Sequence, residues 1–234
     1  MTVGGFPEPF LDGDETEARR WRRERIERVL KDDVRDLEAI RDIQTLDLFL
    51  DALRTRVGSP VVLAHIADDL QVSPVTLKHW LEVLERMYVV FAVRPLTKNL
   101  PRAIQKPPKV YFFDNGDVIG DEGSRFENLV ATHLLKRNHF LEDRTGFRYE
   151  LRYVRDKEKH EVDFVILKEG AVEELIEAKW SDAKPHSSLL YYASRLEPAR
   201  ATQIVAQLKE PFRKNRFHLV STEEYFRRPY SKIA

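Results

Sequence analysis

Residues 161–167, EVDFVIL, and residues 174–180, ELIEAKW, decide how this chain is read. Each run is short, apolar and β-branched, and the connection between them contains Gly170, so together they predict the two strands of a β-hairpin. Side chains of a strand alternate between faces. Asp163, Val165 and Leu167 therefore share one side of the first strand, and Glu177 and Lys179 share one side of the second. Their neighbours Phe164, Ile166, Ile176 and Ala178 are apolar, which sets the carboxylates on an otherwise hydrophobic sheet. Desolvation opposes the ionisation of buried carboxylates, and a divalent cation removes that cost. Oxygen ligands of this kind suit magnesium, with manganese as the second candidate. A bound ion activates water and stabilises the charge that develops on a phosphodiester. Lys179 is placed to orient that water or to neutralise the phosphorane-like transition state. Glu-x-Lys alone is common, and the ordinary alternative is a surface hairpin carrying an ion pair.

Around the hairpin the pattern is that of an α/β set. A helix is predicted over about Arg125–Asn138, a strand over Phe147–Val154, a helix over Ser187–Arg195, and strands over Thr202–Ala206 and Phe217–Val220. The preceding stretch Asp114–Ser124, DNGDVIGDEGS, has three glycines in eleven residues and marks a boundary. The expected organisation is a leading segment and charged helix over 1–45, a helical domain over 46–114, and the α/β domain over 115–234.

The leading segment gives way at Glu15 to TEARRWRRERIERVLKDDVRDLEAI, whose apolar residues Ile26, Val29, Leu30, Val34, Leu37 and Ile40 form one helical stripe. Arg19, Arg20, Arg22, Arg23, Arg25 and Arg28 crowd its start, either as phosphate contacts or as a solvated face. A helix over Leu46–Val57 ends at Gly58-Ser59-Pro60. Two more follow over Leu63–Leu70 and Val75–Met87, with Ser73 as cap and Pro74 at the first position of the second. The strand-like runs YVVFAVRP and VYFFD come next, joined by the basic loop TKNLPRAIQKPPK. Helix-turn-helix followed by a hairpin is the winged-helix arrangement. In it Thr76, Lys78 and His79 would face a DNA groove, and Lys98, Arg102, Lys106 and Lys109 would reach phosphate. Such domains also serve as protein-interaction modules, and the supposed recognition helix carries only one formal positive charge near its start, whereas backbone affinity needs several.

Composition narrows the classes. The 39 basic residues cancel the 39 acidic ones, so attraction to nucleic acid must come from local clusters. The absence of cysteine removes disulfides, thiolate zinc sites and cysteine nucleophiles. No signal-like start and no long apolar run occur, and the expectation is a soluble cytoplasmic protein without a membrane partner. The seven histidines are scattered; His133 and His160 can approach the hairpin, with an ordinary surface position as the default for each.

The spacing D-x(n)-E-x-K across a β-hairpin resembles the PD-(D/E)XK superfamily of restriction enzymes, junction resolvases and repair nucleases, with Val162 where the name has proline. The resemblance implies catalytic roles for Asp163, Glu177 and Lys179. It adds Glu127, in SRFENLVATHLLKR, as a further acid from the preceding helix, so that the metal ligands are Glu127, Asp163 and Glu177. Gln203 and Tyr191 stand where some members add a polar residue; neither is assigned. The resemblance extends outward. GGFPEP, the arginine-rich helix, PKVYFFDNG, FEN and IEAKW follow one another as in the C-terminal half of a prokaryotic family of AAA-type ATPases that ends in a region known as DUF4143. No G-x-x-x-x-G-K-[ST] loop is present, so no ATP site is expected, and the chain reads as a fragment or a shortened relative. The implied architecture is an N-terminal helical, winged-helix domain followed by a restriction-endonuclease-like α/β domain. The implied function is magnesium-dependent cleavage of nucleic acid, DNA before RNA. The alternative is a catalytically silent DNA- or protein-binding module of an ATPase. An ATPase domain or subunit and a second copy of the chain are the expected protein partners.

Overall fold

The computed structural model describes residues 2–30, 42–97, 106–181, 184–208 and 210–227. It divides into two units, 1–92 with 107–128 and 93–106 with 129–234. The protein is mixed α/β, with helices and, among the described residues, an eight-stranded sheet whose strands pair in both directions.

In the first unit, α1 (Pro7–Asp12) leads into α2 (Glu15–Arg28), whose first turn is capped by the Asp14 carboxylate accepting from the N–H groups of Thr16 and Glu17. Those bonds hold the exposed Asp14 below the usual carboxylate range. The expected stripe residues Val34, Leu37 and Ile40 lie outside the described residues. Helices α3 (Ile43–Arg54), α4 (Leu63–Leu70) and α5 (Pro74–Arg86) follow, each within a few residues of its expected span. Ser73 accepts from the Thr76 N–H, and Pro74 opens α5, where its missing N–H costs no helical bond. Leu46, Phe49, Leu50, Leu53, Leu77 and Leu84 have no exposed surface. Strand β1 (Val90–Pro95) begins in this unit, and β2 (Lys109–Phe112) lies next to it in the sheet order. Phe91 stacks on Tyr111 at 5.7 Å between centroids.

In the second unit the order is the end of β1, then β3 (Tyr149–Arg155), β4 (Glu161–Lys168), β5 (Ala171–Lys179), β6 (Arg200–Val205), β8 (Phe217–Ser221) and the edge strand β7 (Phe212–Lys214). Arg94 and Pro95 pair in parallel with Arg152 and Tyr153. The β3–β4 and β4–β5 pairs are antiparallel, while β5–β6 and β6–β8 are parallel. Helix α6 (Glu122–Thr145) contributes to both units, α7 (Ser187–Leu196) packs on β4, β5 and β6, and α8 (Thr222–Phe226) on β8 and β6. Val165, Leu167, Leu175, Leu189, Tyr192 and Ala201 form the core beneath α7. Among the described residues no helix is long and apolar enough to cross a membrane.

Candidate active site on strands β4 and β5

The hairpin forms in the register its sequence suggests. Phe164 pairs with Ile176 and Val165 with Leu175, and extending this by one residue sets Asp163 beside Glu177. Side-chain bonds replace the ladder here. Asp163 Oδ2 accepts from the Ala178 N–H at 3.0 Å, and Glu177 Oε2 accepts from the Asp163 N–H at 3.4 Å. Both carboxylates are nearly dry, at 8% and 2% exposed, and Phe164, Ile166 and Ile176 beside them are buried. Lys179, one strand repeat beyond Glu177, places its Nζ 2.8 Å from Glu177 Oε1 and keeps part of its side chain in solvent.

A residue the sequence did not single out completes the group. His186 precedes α7 and brings Nδ1 to 3.2 Å from Glu177 Oε1, within ion-pair range when the ring is protonated. Its backbone N–H donates to Gln203 Oε1 at 2.8 Å, while Gln203 Nε2 donates to the Lys184 carbonyl. Gln203 lies opposite Glu177 in the β5–β6 register, so it ties the start of α7 to the acidic strand. A cap without Ser, Thr, Asp or Asn gave no sequence signal for this.

Glu127 is placed in the first unit. Its Oε1 accepts from Tyr111 Oη at 2.7 Å and from Lys109 Nζ at 3.2 Å. Lys109, expected at the wing to meet phosphate, is fully buried because its strand position turns it toward this acid. Gly58, at φ +80, allows the same approach, since a Cβ there would come within 2.7 Å of Glu127 Oε2. Among the described residues, no group of three or more His, Asp or Glu side chains is arranged to hold a metal ion. The donors brought together in the second unit are the oxygens of Asp163 and Glu177, with the His186 ring alongside; two oxygen donors fit magnesium or manganese in kind.

A second buried carboxylate, also missed in the sequence, lies three residues earlier on β5 and on the opposite face. Glu174 accepts from Thr202 Oγ1 at 2.7 Å, Tyr225 Oη at 3.0 Å and Arg137 Nη2 at 3.2 Å. Arg137 also donates to Tyr225 Oη. These partners come from α6, β6 and α8, far apart in the chain.

The residues expected to meet nucleic acid divide. Lys78, His79 and Lys106 are exposed, and Thr76 Oγ1 lies 2.8 Å from Ser73 Oγ, which keeps it within the cap of α5. Lys98 and Arg102 lie outside the described residues. Of the six arginines on α2, Arg22 is buried and Arg25 nearly so, each 3.9 Å from Asp114 Oδ2. Arg54 pairs with Asp117 at 3.2 Å. This ionic cluster joins α2 to the turn Asn115–Asp117, and at Gly116 a Cβ would displace the Arg22 guanidinium from its present place. Arg19, Arg20, Arg23 and Arg28 remain on the solvent side.

No curated protein and no solved structure matches this chain. Residues 122–225 match the family model for a domain of unknown function, DUF4143, the region the sequence resemblance named, and that match begins with α6 and covers the candidate site. Residues 1–118, just over half of the 234, match a different model, a domain of unknown function, DUF8612, and the chain belongs to that family.

Proposed function

We propose that the second unit is a metal-dependent phosphodiesterase of the PD-(D/E)XK kind acting on DNA. The observation that carries this reading is the pairing of two buried carboxylates, Asp163 and Glu177, on adjacent strands with Lys179 on the same face. Asp163 and Glu177 would hold a magnesium or manganese ion, which when bound supplies an activated water and a counter-charge for the phosphate. Lys179 contributes a positive charge from the solvent side, where it can steady the non-bridging oxygens as negative charge builds on phosphorus. Gln203 holds the start of α7, and so His186, against Glu177. The helices of the first unit would place the substrate, and an ATPase domain or subunit would govern access to it.

A second reading, a silent DNA- or protein-binding module of an ATPase, is favoured by Glu127, whose Oε1 is already taken by Tyr111 and Lys109. Cleavage of supercoiled, linear, branched and single-stranded DNA with magnesium or manganese separates the two. Metal-dependent cleavage should fall at least about a thousandfold in Asp163→Ala and in Lys179→Ala, on the order of 4 kcal/mol of barrier. Wild-type protein that cuts none of these substrates with either metal would select the silent module.

A further inference from the structure

Beside the carboxylates stands a built aromatic surface to which the reading above gives no task. The turn between β3 and β4 folds on Asp156. Its Oδ1 accepts from the His160 N–H at 2.9 Å, its backbone N–H donates to the His160 carbonyl at 3.1 Å, and Lys159 takes φ +68 to close the loop. Asp156 Oδ2 also meets His160 Nδ1 at 2.9 Å, and Tyr192 Oη donates to the His160 carbonyl. Backbone and ring of His160 are thus fixed from three directions. The ring lies flat on Tyr191 of α7, with centroids 4.3 Å apart and planes at 12°. One helical turn on, the Arg195 guanidinium sits 3.4 Å from the centre of the same Tyr191 ring. The result is a stack of three planar groups whose end member, His160, has a side chain 39% exposed. No other ring among the described residues contacts it.

Position and charge give the stack a purpose. His160 precedes Asp163 by three residues, about 10 Å along an extended chain, and the helix that carries Tyr191 begins at His186 against Glu177. Lys157 and Lys159, exposed on the same turn, form no ion pair among the described residues. Flat rings interleaved with lysines are the pattern of single-strand binding, where bases stack on aromatic faces and cations track the backbone. A duplex cannot use such a platform, because its bases already stack on one another.

We propose that His160, backed by Tyr191 and Arg195, is a stacking platform for an unpaired DNA base next to the phosphate presented to Asp163 and Glu177. This deepens, and rests on, the phosphodiesterase reading of the same site. The substrate is then a single strand, a flap or a frayed end, with Lys157 and Lys159 on its phosphates.

The test is binding without cleavage. A fluorescein-labelled DNA oligonucleotide, single-stranded or annealed to its complement, is titrated in EDTA with the full chain while fluorescence anisotropy is followed. The single strand should bind more tightly than the duplex. His160→Ala should weaken single-strand binding roughly tenfold and leave duplex binding unchanged, whereas His160→Phe, which keeps a ring, should stay within about twofold of wild type. Lys157→Ala and Lys159→Ala should each lower the salt dependence of binding by about 0.7 in log–log slope. Equal affinity for both forms, or a His160→Ala protein that binds the single strand as wild type does, overturns the platform. So does equal weakening in His160→Ala and His160→Phe. Because no metal is present, single-strand preference without any cleavage in magnesium would sink the phosphodiesterase reading alone.

Discussion

Strand β5 carries two buried acids three residues apart, and the protein treats them in opposite ways. On one face Glu174 is met by two cations, Arg137 and Arg200, and by two hydroxyls. Burial pushes its carboxyl up, but Arg137, Arg200, Thr202 and Tyr225 together outweigh burial and leave it below the usual range. Arg137 is held above its ordinary value in turn, since Tyr225 and Glu174 outweigh a burial that works against its charge. On the other face Glu177 and Asp163 set two acids side by side, with one lysine and a histidine that is charged only when protonated. Two guanidiniums face a single acid on the first side, whereas a lysine and a histidine face two acids on the second. Two buried acids side by side are tolerated where positive charge meets them, so the same strand serves as a structural tie on one face and as a candidate ion seat on the other.

The largest test of this contrast removes one cation from the closed face. Arg137→Ala should lower stability by about 3–5 kcal/mol in urea unfolding, because it takes the nearer cation from a buried carboxylate and the donor from a buried phenol oxygen. A loss below about 1 kcal/mol would mean that Arg200 alone neutralises Glu174, and the two faces would differ less than their geometry suggests. The open face should answer the other way. Glu177→Gln removes one of two neighbouring like charges and should leave metal-free stability unchanged or slightly higher. Wild type should gain about 2.7 kcal/mol at a magnesium or manganese concentration one hundred times the dissociation constant, and Glu177→Gln should lose that gain. A Glu177→Gln protein as damaged as Arg137→Ala would identify the site as an ordinary structural ion pair.

What the sequence revealed follows the same division. EVDFVIL and ELIEAKW are local patterns, and strand alternation alone placed Asp163, Glu177 and Lys179 on one face, because pairing across a short hairpin leaves little freedom of register. Glu174 sits in the same run but carries no local signal, since its meaning depends on Arg137 and Tyr225, 37 and 51 residues away. His186 was hidden for a similar reason, its place being set by Gln203 on a parallel strand reached only through α7. The helices of the first unit were legible from period and caps, Ser73-Pro74 above all. The edge strand β7 was not, because Phe212, Arg213 and Lys214 are all exposed and show no buried face to create an alternation. The arginines of α2 gave a charge count without a direction; only the fold separates Arg22 and Arg25, turned to Asp114, from the four that face water.

The smallest predicted effect is an acid-dependent one, and it isolates Glu174. Its folded carboxyl is lowered relative to the ordinary value of 4.5, so ionised Glu174 stabilises the fold fully above that value. As pH falls through the lower, folded value the carboxyl takes up a proton and the contribution disappears. Glu174→Gln has no proton to gain at this position and imitates the protonated acid in shape. Wild type should therefore be the more stable protein at pH 7, the two stability curves should converge as pH drops below 4.5, and they should run together once Glu174 is protonated. Urea midpoints measured from pH 7 downward provide the comparison. Curves that stay parallel through the acid range would show that the glutamine is penalised for its shape alone. The charge of Glu174, and with it the contrast between the two faces of β5, would then have no part in the stability of the fold.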